Sequence, residues 1–280
     1  MDVRSLPNRR FVGNHLIAGL AEDDFERIKP HLKQITMSQH DRLIRPDAPT
    51  EHVYFPETGM VSLILSLEDG SVVEVGLVGN EGLVGVLAGL GASRISGEAI
   101  VQMPGSALSL STEVLRREIG ICHSLREMML RYVQALFAQV TQSAACNGRH
   151  TLPQRLARWL LMANDCAATD QIRLTHEFLS MMIGVRRPGI TDALGELKSA
   201  GIVATARGSI IILDRKGLEA AACECYRTVK AEYERLLVRR RQRPLRENNL
   251  RADNAREDDV RANARPLDRE ATRGARPRRP

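Results

Sequence analysis

Two adjacent arginines, Arg186 and Arg187, precede Pro188 in the segment LTHEFLSMMIGVRRPGITDALGELKSAGIVATARGSIIIL, residues 174–213. A guanidinium group is a rigid fork that grips phosphate oxygens or the acceptor edge of guanine. Nucleic-acid contact is therefore their chemistry, provided the chain holds them outward at the start of a helix. The surrounding spacing predicts such a placement. Thr175 can cap a first helix, and Glu177 falls in its first turn, where a negative charge meets the positive end of the helix dipole. That helix is expected to run to about Ile183, with Gly184 supplying left-handed backbone for a sharp turn. Pro188 has no amide proton, which costs nothing in a first helical turn, so the second helix starts near Arg187. Small Ser180 lets the two helices cross closely, and Leu179, Ile183, Val185, Ile190 and Leu194 supply their shared core. After Gly201, residues 202–206 and 209–213 form two short β segments around Arg207-Gly208, a wing whose arginine meets neighbouring phosphates. The candidate DNA-binding residues are Thr175, His176, Arg186, Arg187, Pro188, Gly189, Thr191, Asp192 and Arg207.

Other chemistries find little support. The seven histidines are dispersed, no glycine-rich phosphate loop follows a strand, and no paired carboxylates share a short helical repeat, so no catalytic residues are expected. Cys122, Cys146, Cys166, Cys223 and Cys225 include no CxxC pair and read as reduced, buried thiols. Cys223 and Cys225, two apart and read as helical, would point to different sides and make a poor chelate, so no metal site is expected. No cysteine precedes Cys122, which argues against an N-terminal iron–sulfur cluster. Redox sensing through Cys122 or Cys146 has no motif behind it. Aromatic residues make up only 4% of the chain, too few for a platform of stacked bases. The net charge of +6 is misleading: from residue 239 onward the chain holds 14 Arg and 7 acidic residues, leaving −1 for everything before it. Any DNA contact by the folded part must rest on local charge.

The elements that must position the arginines follow from periodicity. Residues 40–110 read as β structure. Val61, Leu63, Leu65 and Leu67 alternate with Ser62, Ile64 and Ser66, Asp69-Gly70 supplies a tight turn, and residues 72–77 return. Residues 99–103 and 107–110, joined through Pro104-Gly105, read as a second hairpin. Short strands with frequent glycine turns predict a sandwich or roll. From Glu113 the period becomes helical. Leu125, Met128, Met129, Tyr132, Val133, Leu136, Phe137 and Val140 span an arc of about 180°, wider than one packing neighbour requires. Such a face suits a helix with its own domain on one side and a partner helix on the other. Leu125, Met129, Tyr132, Leu136 and Val140 are the expected dimer seam. Asn147-Gly148 interrupts the pattern, and Pro153 opens another amphipathic helix carrying Trp159. The tail from residue 239 has few apolar residues and is expected to be disordered, either adding phosphate contacts or simply solvated. The N-terminus lacks a signal-peptide pattern, and the most apolar stretch, residues 75–92, is broken by Asn80 and Glu81. No membrane association and a cytoplasmic location are expected.

With these pieces in place, residues 15–235 resemble the Crp/Fnr family of regulators. RLARWLLMA followed by LTHEFLSMMIGVRRPGITDALGELKSAGIV is the most specific part of the likeness. HVYFPETGMVSLILSLEDGSVVEVGLVGNEGLVG resembles the family's effector-sensing β-roll. The resemblance implies an α+β chain: a β-roll of jelly-roll type over 15–112, a dimerisation helix over 113–147, a winged helix-turn-helix over 148–238 and the tail over 239–280. It implies a homodimeric transcription regulator that reads a two-fold symmetric site on double-stranded DNA, with RNA polymerase as a further candidate partner. The alternative is a nucleotide-sensing signalling module whose C-terminal domain contacts proteins.

The sequence departs from the family at two places. Where well-known members carry Arg, Glu and, four residues on, Arg in the recognition helix, this chain has Arg187, Pro188 and Asp192. The operator should differ accordingly, and Asp192 either accepts from a cytosine amino group or faces solvent. The family's cyclic-nucleotide cassette, a Gly-Glu pair and a later Arg-Ser/Thr, has as its nearest equivalents Gly79, Glu81 and Gly82, then Arg94 and Ser96. The motif is incomplete, so a cyclic nucleotide is not the expected effector, no cofactor is assigned, and the effector is unknown.

Overall fold

A computed structural model describes residues 12–167, 169–206 and 208–237. The chain opens with two short helices, α1 (His15–Ala18) and α2 (Glu22–Ile28), followed by strands β1 (Lys33–Met37), β2 (Arg42–Ile44), β3 (His52–Pro56), β4 (Met60–Ser66) and β5 (Val72–Val78). A one-turn helix α3 (Val86–Gly89) precedes β6 (Glu98–Met103) and β7 (Gly105–Ser111). The strands form two antiparallel sheets, β1-β7-β3 and β2-β6-β4-β5, facing each other as a roll. The β4–β5 hairpin forms as expected, with Gly70 at φ +80° in its turn. Its side chains do not alternate simply. A register shift between Leu63 and Ile64 turns Ile64 into the core and leaves Leu65 and Leu67 exposed. The second expected hairpin is not one. Although β6 and β7 are consecutive, β6 pairs with β2 and β4, whereas β7 pairs with β1 and β3. Pro104 thus marks a crossing from one sheet to the other.

The helical stretch expected over 113–147 is two helices, α4 (Thr112–Ile119) and α5 (His123–Arg149), separated at Gly120-Ile121. Helix α5 runs through Asn147-Gly148 without a break and ends at Arg149, with His150 as its extended C-cap. One glycine near a helix end costs only about 1 kcal/mol, which the packing of α5 absorbs. Then come α6 (Leu152–Ala167), β8 (Gln171–Ile172), α7 (His176–Ile183), α8 (Arg187–Ser199), β9 (Val203–Ala206), β10 (Ser209–Ile212), α9 (Arg215–Ala221) and α10 (Cys225–Leu237). The order β8-β10-β9 completes a small three-stranded wing sheet.

One apolar core joins the outer face of the roll to the C-terminal helices. Met60, Ile64, Leu77 and Met103 pack in the same cluster as Leu156, Trp159, Leu160, Leu179, Met182, Ile190 and Leu194. Polar contacts cross the same boundary: Trp159 Nε1 donates to Glu74 Oε1 at 2.7 Å, and Ser62 Oγ donates to Glu74 Oε2 at 2.5 Å. Burial pushes the Glu74 carboxyl up to about 7, although both hydrogen bonds and the Arg158 charge pull the other way. Among the described residues, no helix is long and apolar enough to cross a membrane. The tail from residue 239 to 280, expected to be disordered, lies outside the described residues.

Candidate nucleic-acid interface

The helix pair forms at the expected positions. Thr175 caps α7, its hydroxyl accepting from the Phe178 amide at 3.1 Å. Gly184 ends the helix at φ +68°, in left-handed backbone that side chains other than glycine rarely adopt. A Cβ at Gly184 would touch only Val73, at ordinary contact distance, so backbone conformation is what requires glycine there. Arg186 is the extended N-cap of α8, and Pro188 sits in its first turn. Buried Ile190, Ala193, Leu194 and Leu197 fix α8 on one face. Arg186, Arg187, Pro188, Thr191 and Asp192 lie on the exposed side. Neither Arg186 nor Arg187 has an ion-pair partner among the described residues. Two unpaired guanidinium groups at the positive end of a helix form an anion-seeking surface.

The remaining predicted residues divide into exposed and structural ones. His176 Nδ1 lies 3.1 Å from Thr191 Oγ1, which also donates to the Arg187 carbonyl, so this pair ties the start of α7 to α8. Gly189 is half-buried, and a Cβ there would meet Leu152 at 3.0 Å, so its role is close helix packing. The wing hairpin forms with Gly208 at φ +71°, while Arg207 lies outside the described residues. Exposed Arg173, between β8 and α7, was not singled out from the sequence; its one signal is its place two residues before the Thr175 cap.

The expected dimer seam needs correction. Leu125, Met129 and Tyr132 are fully buried in this chain's own core, against Phe25, Leu83 and Leu115, and cannot face a partner. Leu136 and Val140 are half-buried and line a cavity in the roll. The outward-facing residues of α5 are instead Leu130, Phe137 and Ala144, with half-buried Val133 and Val140 between them on the same stripe, alternately three and four apart, and Phe137 is 69% exposed. Both faces of α5 are apolar, so the broad arc in the sequence could not by itself say which one the roll covers.

The proposed effector residues are not brought together. Glu81 accepts from the Gly79 amide at 3.1 Å, and its carboxyl, raised by burial, faces a cavity of about 660 Å³ beside Cys166, Lys230 and Tyr233. Gly82 makes room for Tyr132, whose hydroxyl would lie 2.9 Å from a Cβ. Arg94 is exposed and lines neither cavity. The cavity within the roll, about 220 Å³, is walled by Leu63, Val75, Gly85, Val86, Ile95, Ser96 and Leu136 among others. Its described lining includes one acidic residue, Glu98, and no basic one. A ligand phosphate would find no cationic partner among the described lining residues.

The five cysteines are free and four of them are buried, as expected, but Cys223 and the grouping around it differ from the sequence reading. Burial, with the Asp24 and Glu118 carboxylates, pushes the Cys122 thiol up to about 11, which makes it a poor redox sensor. Cys223 is not helical; it precedes α10, and its thiol lies 3.5 Å from that of Cys146. Cys225 and His150 join them. The signal available in the sequence was Cys146 and His150, four apart and therefore on one helix face.

Comparison with known proteins agrees with this geometry. Residues 34–120 match the cyclic nucleotide-binding domain family, and residues 154–221 match the Crp-like helix-turn-helix domain family. A global nitrogen regulator of Nostoc sp. is 25% identical over 186 residues, 63% of this chain and 83% of that protein. Among solved structures, a transcriptional regulator of the Crp/Fnr family from Eubacterium rectale aligns with TM-score 0.60 at 16% identity, covering 74% of this chain and 96% of that one. FixK2 from Bradyrhizobium japonicum aligns with TM-score 0.57 at 17% identity, covering 69% and 98%. These structural likenesses establish the fold.

Proposed function

Since the chain belongs to the Crp/Fnr family and is a DNA-binding transcription regulator of that type, we propose that it works as a homodimer that inserts the N-terminal end of α8 into the major groove. The unpaired, exposed Arg186 and Arg187 at that end carry the reading. Arg187 contacts a base edge or phosphate, and Arg186 and Arg173 grip the flanking backbone. With Asp192 rather than a basic residue one turn further on, the site differs from those of the better-known members.

Two copies meet along the outward stripe of α5, which places two α8 helices on one two-fold symmetric site. The signal enters through the roll, whose apolar cavity suits a ligand without phosphate. Val140 borders that cavity and also belongs to the outward stripe, so an occupant there acts on the dimer seam. The protein acts in the cytoplasm, with RNA polymerase as its downstream partner.

Selection of bound duplexes from a random library, followed by footprinting, tests the reading. It predicts a two-fold symmetric site with half-sites about 34 Å apart, one helical turn. An asymmetric footprint, or no enrichment, would overturn it and favour a C-terminal domain that contacts proteins.

A further inference from the structure

Three thiols and one imidazole converge where α5 ends and α10 begins. Cys146 and His150 are four residues apart on and just beyond α5, while Cys223 and Cys225 flank the turn into α10. Their ligand atoms all lie within 4.8 Å of one another. We propose that Cys146, His150, Cys223 and Cys225 bind a single zinc ion in a closed, four-coordinate site.

The geometry favours one ion over a larger group. Zinc binds thiolates at about 2.3 Å and imidazole at about 2.0–2.1 Å, so the edges of a tetrahedral site measure about 3.5–3.8 Å. Cys146 Sγ and Cys223 Sγ are 3.5 Å apart, and Cys225 Sγ and His150 Nδ1 are also 3.5 Å apart. An iron–sulfur cluster spreads its thiolates over separate irons and needs a wider cage. Three soft sulfur donors with one imidazole select zinc over the oxygen-preferring cations.

The surroundings supply what such a site requires. His150 turns Nδ1 toward the thiols, while Nε2 lies 3.2 Å from Glu224 Oε1, the carboxylate–histidine arrangement that orients metal ligands. Gln142 Nε2 lies 3.1 Å from Cys225 Sγ and can donate to a thiolate. Zinc with three thiolates carries a net charge of −1, and the guanidinium groups of Arg155 and Arg158 act electrostatically on these cysteines. Both arginines keep a buried Nε without a hydrogen-bond partner among the described residues. Binding displaces the protons of the three thiols into solution and involves no redox change. The ion joins the end of α5 to the α9–α10 turn, and Gln139 donates to Tyr233 Oη further along the same pair of helices. The zinc therefore pins α10 against the helix that carries the proposed dimer seam.

The test uses the full chain, purified with reductant, stripped by a chelator and titrated with Co²⁺. The expected result is one Co²⁺ per chain, with the intense visible bands of tetrahedral cobalt and thiolate charge transfer in the near ultraviolet, bleached by one equivalent of Zn²⁺. Cys225→Ser should lose these bands, while Cys122→Ser and Cys166→Ser should keep them. Should Cys225→Ser fail to fold, Glu224→Gln serves instead, because it leaves all four ligands in place and should weaken zinc binding about 10- to 100-fold. Absence of the tetrahedral spectrum from the reduced wild-type chain would overturn the proposal. So would loss of metal in the Cys122 or Cys166 variant, or a reduced chain that binds no metal but readily forms a Cys146–Cys223 disulfide.

Discussion

Replacing Phe137 by alanine separates the two faces of α5. In the single chain Phe137 is 69% exposed, with Leu130 on the same face at 49%. A phenylalanine side chain offers about 200 Å², so a partner helix would remove about 140 Å² per copy from water. At about 25 cal/mol per Å² that is about 3.5 kcal/mol per copy. In the proposed dimer two copies face each other across a two-fold seam. With burial about half efficient, Phe137→Ala should weaken the dimer by about 3.5 kcal/mol, raising Kd about 300-fold. The control is Leu125→Ala. Leu125 is fully buried within its own chain, so this change should lower folding stability by about 2–5 kcal/mol and leave the Kd of the folded dimer unchanged. Sedimentation velocity across a dilution series reads the first effect, and urea unfolding reads the second. A Phe137→Ala dimer as tight as wild type, or a folded Leu125→Ala chain that dissociates, would refute the assignment of faces.

Glu74 predicts a pH dependence. Its carboxyl is held at about 7 in the folded chain against an ordinary value of 4.5, so the folded state keeps a proton that the unfolded state has lost. Its contribution is fully present below about pH 4.5 and is lost as pH rises through about 7, by up to about 3 kcal/mol. Glu74→Gln should flatten the stability profile over that window in urea titrations; an unchanged slope would contradict the burial argument. Gly184→Ala meets no steric obstacle but forces a side chain into left-handed backbone at φ +68°, so it should cost about 1–2 kcal/mol, read as a lower unfolding midpoint. A neutral substitution would mean that the turn is built differently.

The parts of the chain governed by local rules were legible in the sequence. The Thr175 cap, the Gly184 turn, the start of α8 at Arg187 and the wing hairpin all depend on residues a few positions apart. Features that depend on distant packing were not. The bulge at Leu63-Ile64 inverts an alternation that reads as regular, and β6 and β7 look like a hairpin because sequence proximity says nothing about the sheet each strand joins. The face of α5 that is covered is decided largely by Phe25 and Leu83, far away in the chain. The thiol cluster escaped notice for the same reason. Cys146 and Cys223 are 77 residues apart, and only the packing of α10 on α5 unites them.

The outward-facing, cationic start of α8 is tested most directly by measuring affinity for a selected duplex by fluorescence anisotropy over a range of salt concentrations, for wild type and for Arg187→Ala. The account predicts a log-affinity that falls linearly with log salt in the wild type. The variant should bind about 1–3 kcal/mol more weakly if Arg187 reads a base, or with a slope shallower by about 1 if it holds a phosphate. Two superimposable titrations, or an affinity indifferent to salt, would contradict it.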